Sequence, residues 1–146
     1  MTATRSTGRG NAGWLLLLGG AAAALGACHK TSFSEEIEPQ LAFVCARAGC
    51  HTAVDATAGL VLETGVAYPN LVGVTPMGPA CGGGVAVEAA RVTPGDPAAS
   101  LMYTKISGTQ TCGDRMPYMC ETTMTCLQPD FIATVEDWIL DGAPNN

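Results

Sequence analysis

The stretch CARAGCH, from Cys45 to His51, holds the residue types in this chain that are best suited to chemistry. Two thiols stand four residues apart, and an imidazole follows the second thiol directly. Such a set can form a disulfide or bind a metal ion. Alternatively, both thiols can bond to the vinyl groups of a haem whose iron takes the imidazole as an axial ligand. Spacing alone leaves these three uses open.

The N-terminal segment is typical of an export signal. Arg5 and Arg9 precede the apolar run WLLLLGGAAAALGAC, whose charge and length favour a secretory signal over a spanning helix. Its last four residues, LGAC at 25–28, resemble the lipobox of bacterial lipoproteins. The resemblance implies removal of residues 1–27 and a lipid on Cys28. Residues 28–34 would then be a short tether and 35–146 a single domain. The residue directly after Cys28 is His29 rather than an aspartate, which favours the outer membrane over the inner membrane. The domain would then face the periplasm or the exterior.

The mature segment is acidic and contains many cysteines. Residues 1–27 hold two of the seven basic residues and none of the thirteen acidic ones, so the formal charge without them is −8. This charge argues against nucleic acid and anionic lipid as partners and is compatible with a basic protein partner; the membrane would be reached through the lipid only.

Export permits disulfides. Six cysteines besides Cys28 allow three bridges, or two bridges and one pair with another use: Cys45, Cys50, Cys81, Cys112, Cys120 and Cys126. Zinc is disfavoured because an exported thiol pair oxidises readily and His29 is the only other histidine.

Helical periodicity indicates the elements that position CARAGCH. A first helix is predicted from about Glu35 or Pro39 to Ala46, with Ser32 and Glu35 at capping-box spacing. Its apolar stripe places Cys45 on the buried side at the C-terminal end. From residue 52 to 84 the chain is predicted to form short strands or turns.

Two further helices are predicted beyond this segment. One begins with Asp96 as N-cap and Pro97 in the first position and ends near Gly108. After a cysteine- and methionine-rich loop at 109–127, the last runs from about Pro129 to Leu140. The sequence therefore predicts a mainly α fold with long loops, organised around an internal prosthetic group or disulfides.

The motif and the order of these elements resemble class I type cytochromes c, in particular single-haem exported domains in which CxxxxCH replaces CxxCH. The resemblance covers about residues 35–143 and includes a Met-Pro in GDRMP. It implies a small cytochrome c-like helical fold with one covalent haem c. Cys45 and Cys50 would form the thioethers, His51 would be the proximal iron ligand, and Met116, followed by Pro117, the distal ligand.

The resemblance implies an electron carrier with redox proteins as partners. A His/Met pair fills both axial positions, which suits electron transfer rather than substrate activation. No catalytic constellation is found in the sequence, so an enzyme is not expected. The apolar wall around the iron would consist of Leu60, Leu62, Leu71, Val72, Leu101, Met102, Ile106 and Trp138.

The chain departs from the family in its four-residue spacing and in four additional cysteines. Cys120 and Cys126 are close enough in sequence to close a small ring, and Cys81 and Cys112 would then join the middle loop to the start of the distal loop. An alternative is a haem-free, disulfide-stapled surface lipoprotein that binds or scaffolds, with Cys45 bridged to Cys50. Another is a sensor or accessory haem domain of a larger membrane complex.

Overall fold

The computed structural model of the chain describes residues 1–2, 30–81 and 90–146; the leader run from Arg5, together with Cys28 and His29, lies outside them. Within these residues the regular elements are helical, with isolated β-bridges in place of strands. The helices are α1 (Glu38–Val44), α2 (Ala67–Leu71), α3 (Leu101–Ser107), α4 (Cys120–Thr123) and α5 (Pro129–Leu140). The small, helical, loop-rich fold class is confirmed at this level.

A π-helical turn, Phe33–Ile37, leads into α1. The Ser32 hydroxyl accepts from the Glu35 amide at 3.3 Å, as the predicted capping box requires. The return bond, however, comes from Glu36, whose Oε2 accepts from the Ser32 amide at 2.7 Å. A π-helical turn is wider than an α-helical turn, so the carboxylate of Glu36, one residue later than expected, is the one that reaches the Ser32 amide. The helical segment therefore begins within the stretch predicted as tether, and α1 ends at Val44 rather than Ala46.

The predicted start of the second helix is wrong: α3 begins at Leu101, not at Pro97. The Asp96 carboxylate instead accepts from the Ala99 amide at 3.0 Å and closes a separate turn. The amides of Leu101 and Met102 donate to the carbonyls of Ala90 and Arg91 at 3.0 and 2.9 Å. Main-chain carbonyls of a distant segment thus satisfy the first N–H groups of the helix. A local cap at Asp96 had been expected to satisfy them. The helix ends at Gly108 as predicted, in a left-handed conformation at φ 82°.

The loop regions contain two short α-helices that the sequence did not predict, besides a 3₁₀ turn at Thr57–Gly59. The stretch YPNLVGV, predicted as strand or turn, forms most of α2, and α4 lies in the cysteine-rich loop. The predicted last helix is confirmed as α5, Pro129–Leu140.

The core packs the segment before α1 against α5 and the residues that follow α5. Phe33 lies 5.2 Å from both Trp138 and Tyr68, measured between ring centroids. The Trp138 indole donates to the Pro144 carbonyl at 2.9 Å, and the Tyr68 hydroxyl donates to the Ala143 carbonyl at 2.8 Å. The buried apolar cluster consists of Phe33, Ile37, Leu41, Leu62, Ala67, Leu71, Val92, Ile106, Val135, Trp138, Ile139 and Ala143.

Two disulfides brace the loops, Cys81–Cys112 and Cys120–Cys126. These are the two pairs that were predicted from the sequence. The first joins positions 31 residues apart, whereas the second closes a ring between positions six apart. Disulfides therefore supply connections in the part of the fold that is poor in regular structure.

Candidate functional site

The turn after α1 brings Cys45, Cys50 and His51 together. The Cys45 amide completes α1 by donating to the Leu41 carbonyl at 2.8 Å. The chain then folds back, so that the His51 amide donates to the Cys45 carbonyl at 3.2 Å. Gly49 permits this reversal because it adopts φ 79°, which is costly for other residues. The three motif residues therefore share one tight loop.

Asp55 holds this loop closed. Its Oδ2 atom accepts from the Thr52 hydroxyl at 2.8 Å and from the Gly49 amide at 2.9 Å. These two hydrogen bonds, that of Thr52 first, lower the pKa of the Asp55 carboxyl. This role was not predicted from the sequence, although a threonine followed three residues later by an aspartate has capping-box spacing.

Within the described residues, neither Cys45 nor Cys50 is bonded to another cysteine. Cys45 is half-buried against the core. Burial, and then the nearby Cys50, raise the pKa of the Cys45 thiol to about 11. A thiol with this pKa is protonated at neutral pH and is a poor nucleophile for disulfide exchange.

The His51 ring is oriented by a main-chain carbonyl. Its Nδ1 lies 3.3 Å from the Leu60 oxygen, and its own carbonyl accepts from the Leu62 amide at 2.9 Å. A carbonyl can only accept, so Nδ1 carries the proton and Nε2 keeps its lone pair. Burial lowers the pKa of His51 and outweighs the hydrogen bonds to the Leu60 and Thr57 carbonyls, which raise it; the charge of Arg91 adds a smaller lowering. The ring is thus held in the neutral form that binds metals.

Met116 lies on a different segment from the motif. Its side chain is partly buried against the core, and its amide donates to the Lys105 carbonyl of α3 at 3.0 Å. The neighbouring Arg115 pairs with Glu121 at 2.9 Å, while its buried Nε atom has no hydrogen-bond partner in the described part of the chain. Met116 therefore shares the core with Cys45, but its hydrogen bond goes to α3.

The predicted apolar wall divides into two groups. Leu62, Leu71, Ile106 and Trp138 are buried within the core. Leu60, Val72, Leu101 and Met102 are only half-buried, so these four are the members that keep surface for contact with a bound group. Further half-buried apolar side chains pack against the core cluster, among them Cys45, Met116, Leu127 and Phe131.

Among the surface cavities of the described residues, two have volumes of about 490 and 380 Å³. Neither is lined by Cys45, Cys50, His51 or Met116. The smaller one lies beside the motif, between Val44 and Phe131. In the same part of the chain, no helix is long and apolar enough to cross a membrane.

Residues 30–81 and 90–146 contain no group of three or more His, Cys, Asp or Glu side chains that could hold a metal ion. An iron held by one imidazole and one thioether within a porphyrin needs no such group.

No family model, curated protein or solved structure matches the chain. The fit of the site to haem c therefore rests on the chemistry of its donor groups. These groups suit a porphyrin with carboxylate substituents. The site offers two unbonded thiols, an imidazole with its Nε2 lone pair, half-buried apolar side chains, and the Arg115 Nε atom, which has no hydrogen-bond partner in the described residues. The residues fit the group.

Proposed function

We propose that the chain is an exported, lipid-anchored c-type cytochrome that carries one covalent haem and transfers electrons. One observation carries the proposal. Four of the six cysteines in the described segments are paired, while the two thiols that flank ARAG remain unbonded beside a histidine in its neutral, metal-binding form.

The two thiols would attach the haem. In each attachment the S–H bond adds across a vinyl double bond, so that sulfur bonds to one carbon, hydrogen to the other, and no oxidant is consumed. Cys45 and Cys50 meet this requirement because both are unbonded, so the Cys45–Cys50 disulfide that would prevent attachment is not formed.

The axial ligands would be His51 through Nε2 and Met116 through its thioether sulfur. Haem bound in this way supplies a one-electron couple between ferrous and ferric iron. Leu60 orients the imidazole through its carbonyl, and the half-buried apolar side chains exclude water. With His51 and Met116 both holding the iron, the site would favour outer-sphere electron transfer over substrate binding.

The proposed location and partners follow from the rest of the chain. A lipid on Cys28 of the lipobox-like LGAC would anchor the protein, with the outer membrane favoured, and the segment after residue 27 has a formal charge of −8. Redox proteins with a basic docking surface would complement this charge.

Covalent haem is the decisive test. The full chain would be produced in a bacterial host able to attach haem c, and examined by visible spectroscopy and by haem staining after denaturing electrophoresis. We expect a Soret band and stained protein from the wild type, and no stain from Cys45→Ser/Cys50→Ser. His51→Ala should keep the covalent stain but lose its native axial ligation.

The contrary result is equally clear. A colourless wild-type protein in which peptide mapping finds a Cys45–Cys50 disulfide would overturn the proposal. It would favour the haem-free surface lipoprotein instead.

A further inference from the structure

Lys105 holds the Met116 segment onto α3 through both its main chain and its side chain. Its carbonyl accepts from the Met116 amide at 3.0 Å. Its Nζ atom donates to the carbonyls of Cys112 and Asp114 at 3.1 and 2.8 Å. The loop from Cys112 to Met116 is therefore fastened to one residue at three points.

The Cys81–Cys112 disulfide fixes the beginning of the same loop. A Cβ atom at Gly113 would lie 3.3 Å from the Cys81 sulfur and 2.9 Å from the Lys105 Nζ, so the disulfide, the ammonium group and the loop are in close contact. Cys81 is buried, with 6% of its surface exposed. The bridge is thus part of the packed structure at this point.

The other side of the bridge leads back to His51. The segment that ends at Cys81 rests on the loop after the motif: Gly78 packs against Ala58, and the side chain of Met77 lies on Gly59. The next residue, Leu60, accepts from the His51 ring. A continuous set of contacts therefore runs from the proximal imidazole to Met116, and the disulfide is its covalent link.

We propose that the Cys81–Cys112 disulfide and Lys105, together called the distal brace, are positioning groups that hold Met116 where it can act as the second axial ligand. This inference rests on the proposed haem. Loss of the brace frees the Met116 segment to open locally, which releases the thioether from iron while His51 stays bound. The Cys120–Cys126 disulfide, by contrast, closes a short ring after Met116 and joins no second segment.

The test compares the two disulfides in the haem-loaded protein. Cys81→Ala/Cys112→Ala is expected to lose the weak sulfur-to-iron band at the red end of the spectrum and to bind cyanide about tenfold more tightly, because the sixth position is vacated. Cys120→Ala/Cys126→Ala, which removes a disulfide of the same chemistry, is expected to keep the band and the cyanide affinity.

A second variant leaves the disulfide intact. Lys105→Met should weaken the band and speed hydrogen exchange at the Met116 amide about tenfold, since the side-chain bonds to the loop are lost. Lys30→Met is the control for charge, because Lys30 is exposed and lies outside these contacts. If Cys81→Ala/Cys112→Ala does not load haem, the comparison of Lys105→Met with Lys30→Met tests the distal brace instead.

Hydrogen exchange at the Met116 amide tests the distal brace independently of whether haem is attached. A Met116 amide that is unprotected in the wild type, or protected equally in all variants, overturns the brace, as does a sulfur-to-iron band of full strength in both Cys81→Ala/Cys112→Ala and Lys105→Met. A wild type without covalent haem overturns the proposed function. Even then, a Met116 amide that is protected in the wild type and released in Lys105→Met supports the fastening of the loop.

Discussion

The side chains of Met116, Met119 and Met124 occur on one loop but have different surroundings. Met116 packs against the core, whereas Met119 and Met124 are 56% and 89% exposed. A thioether that is already half-buried loses little solvent contact or freedom when it binds iron, while an exposed one must be ordered first. Among these three methionines, Met116 therefore has the surroundings that the proposed ligand needs; Met102 of α3 is also half-buried against the core.

Replacement of Met116 tests this assignment. In the haem-loaded protein, Met116→Ala should abolish the sulfur-to-iron band and lower the reduction potential, because a thioether ligand favours ferrous iron. Met119→Ala and Met124→Ala should change neither quantity. Absorption spectra and redox titrations of the three variants provide the measurement, and a Met116→Ala spectrum identical to that of the wild type would refute the ligand.

The groups that position His51 and Met116 could not be predicted from the sequence. Cys45, Cys50 and His51 were found because their types and spacing carry chemistry. The partner of His51, in contrast, is the carbonyl of Leu60, and every residue type has a carbonyl. Lys105 lies within the second predicted helix, but its contacts with Cys112 and Asp114 depend on how a loop folds back and could not be predicted.

At the scale of elements, the entry to α1 depends on Ser32. Its hydroxyl accepts from the Glu35 amide at 3.3 Å and donates to the main-chain oxygen of Asn146 at 3.1 Å. Ser34, two residues later, binds the same Asn146 oxygen through its amide rather than its hydroxyl. The two serines therefore differ in what their side chains contribute.

Ser32→Ala should lower the free energy of unfolding by about 1 kcal/mol, the usual effect of losing an N-cap hydroxyl. Ser34→Ala should change it by no more than about 0.5 kcal/mol, because its main-chain hydrogen bond remains. Urea unfolding followed by circular dichroism measures both values. Equal losses in the two variants would show that the Ser32 hydroxyl has no capping role.

Elements with local signals were predicted best. The twelve-residue α5 has Pro129 in its first turn and a continuous apolar face, and its predicted bounds are confirmed. The start of α3 was missed because carbonyls of residues 90 and 91 take the place of a local cap. α2 and α4 are only five and four residues long, too short for helical periodicity to distinguish them from turns.

At the scale of the whole molecule, Arg91 connects segments that are distant in the chain. It is only 5% exposed, yet its guanidinium binds three main-chain carbonyls, those of Ala58, Gly59 and Asn70, at 2.9–3.0 Å. It thereby fixes the loop after the motif against the end of α2. Burial lowers the pKa of Arg91, although a guanidinium still remains charged.

Arg91→Lys tests the connection without removing the charge. A single ammonium group cannot reproduce the planar guanidinium geometry, so at least one buried carbonyl should lose its partner, at a cost of about 1–3 kcal/mol. Arg47→Lys is the matched control: Arg47 is exposed and lies 5.4 Å from the Phe43 ring, where lysine also fits, and a change within about 0.5 kcal/mol is expected. Urea unfolding of both variants decides the question. If Arg91→Lys were as stable as Arg47→Lys, the three carbonyl bonds would not be what holds the loop after the motif against α2.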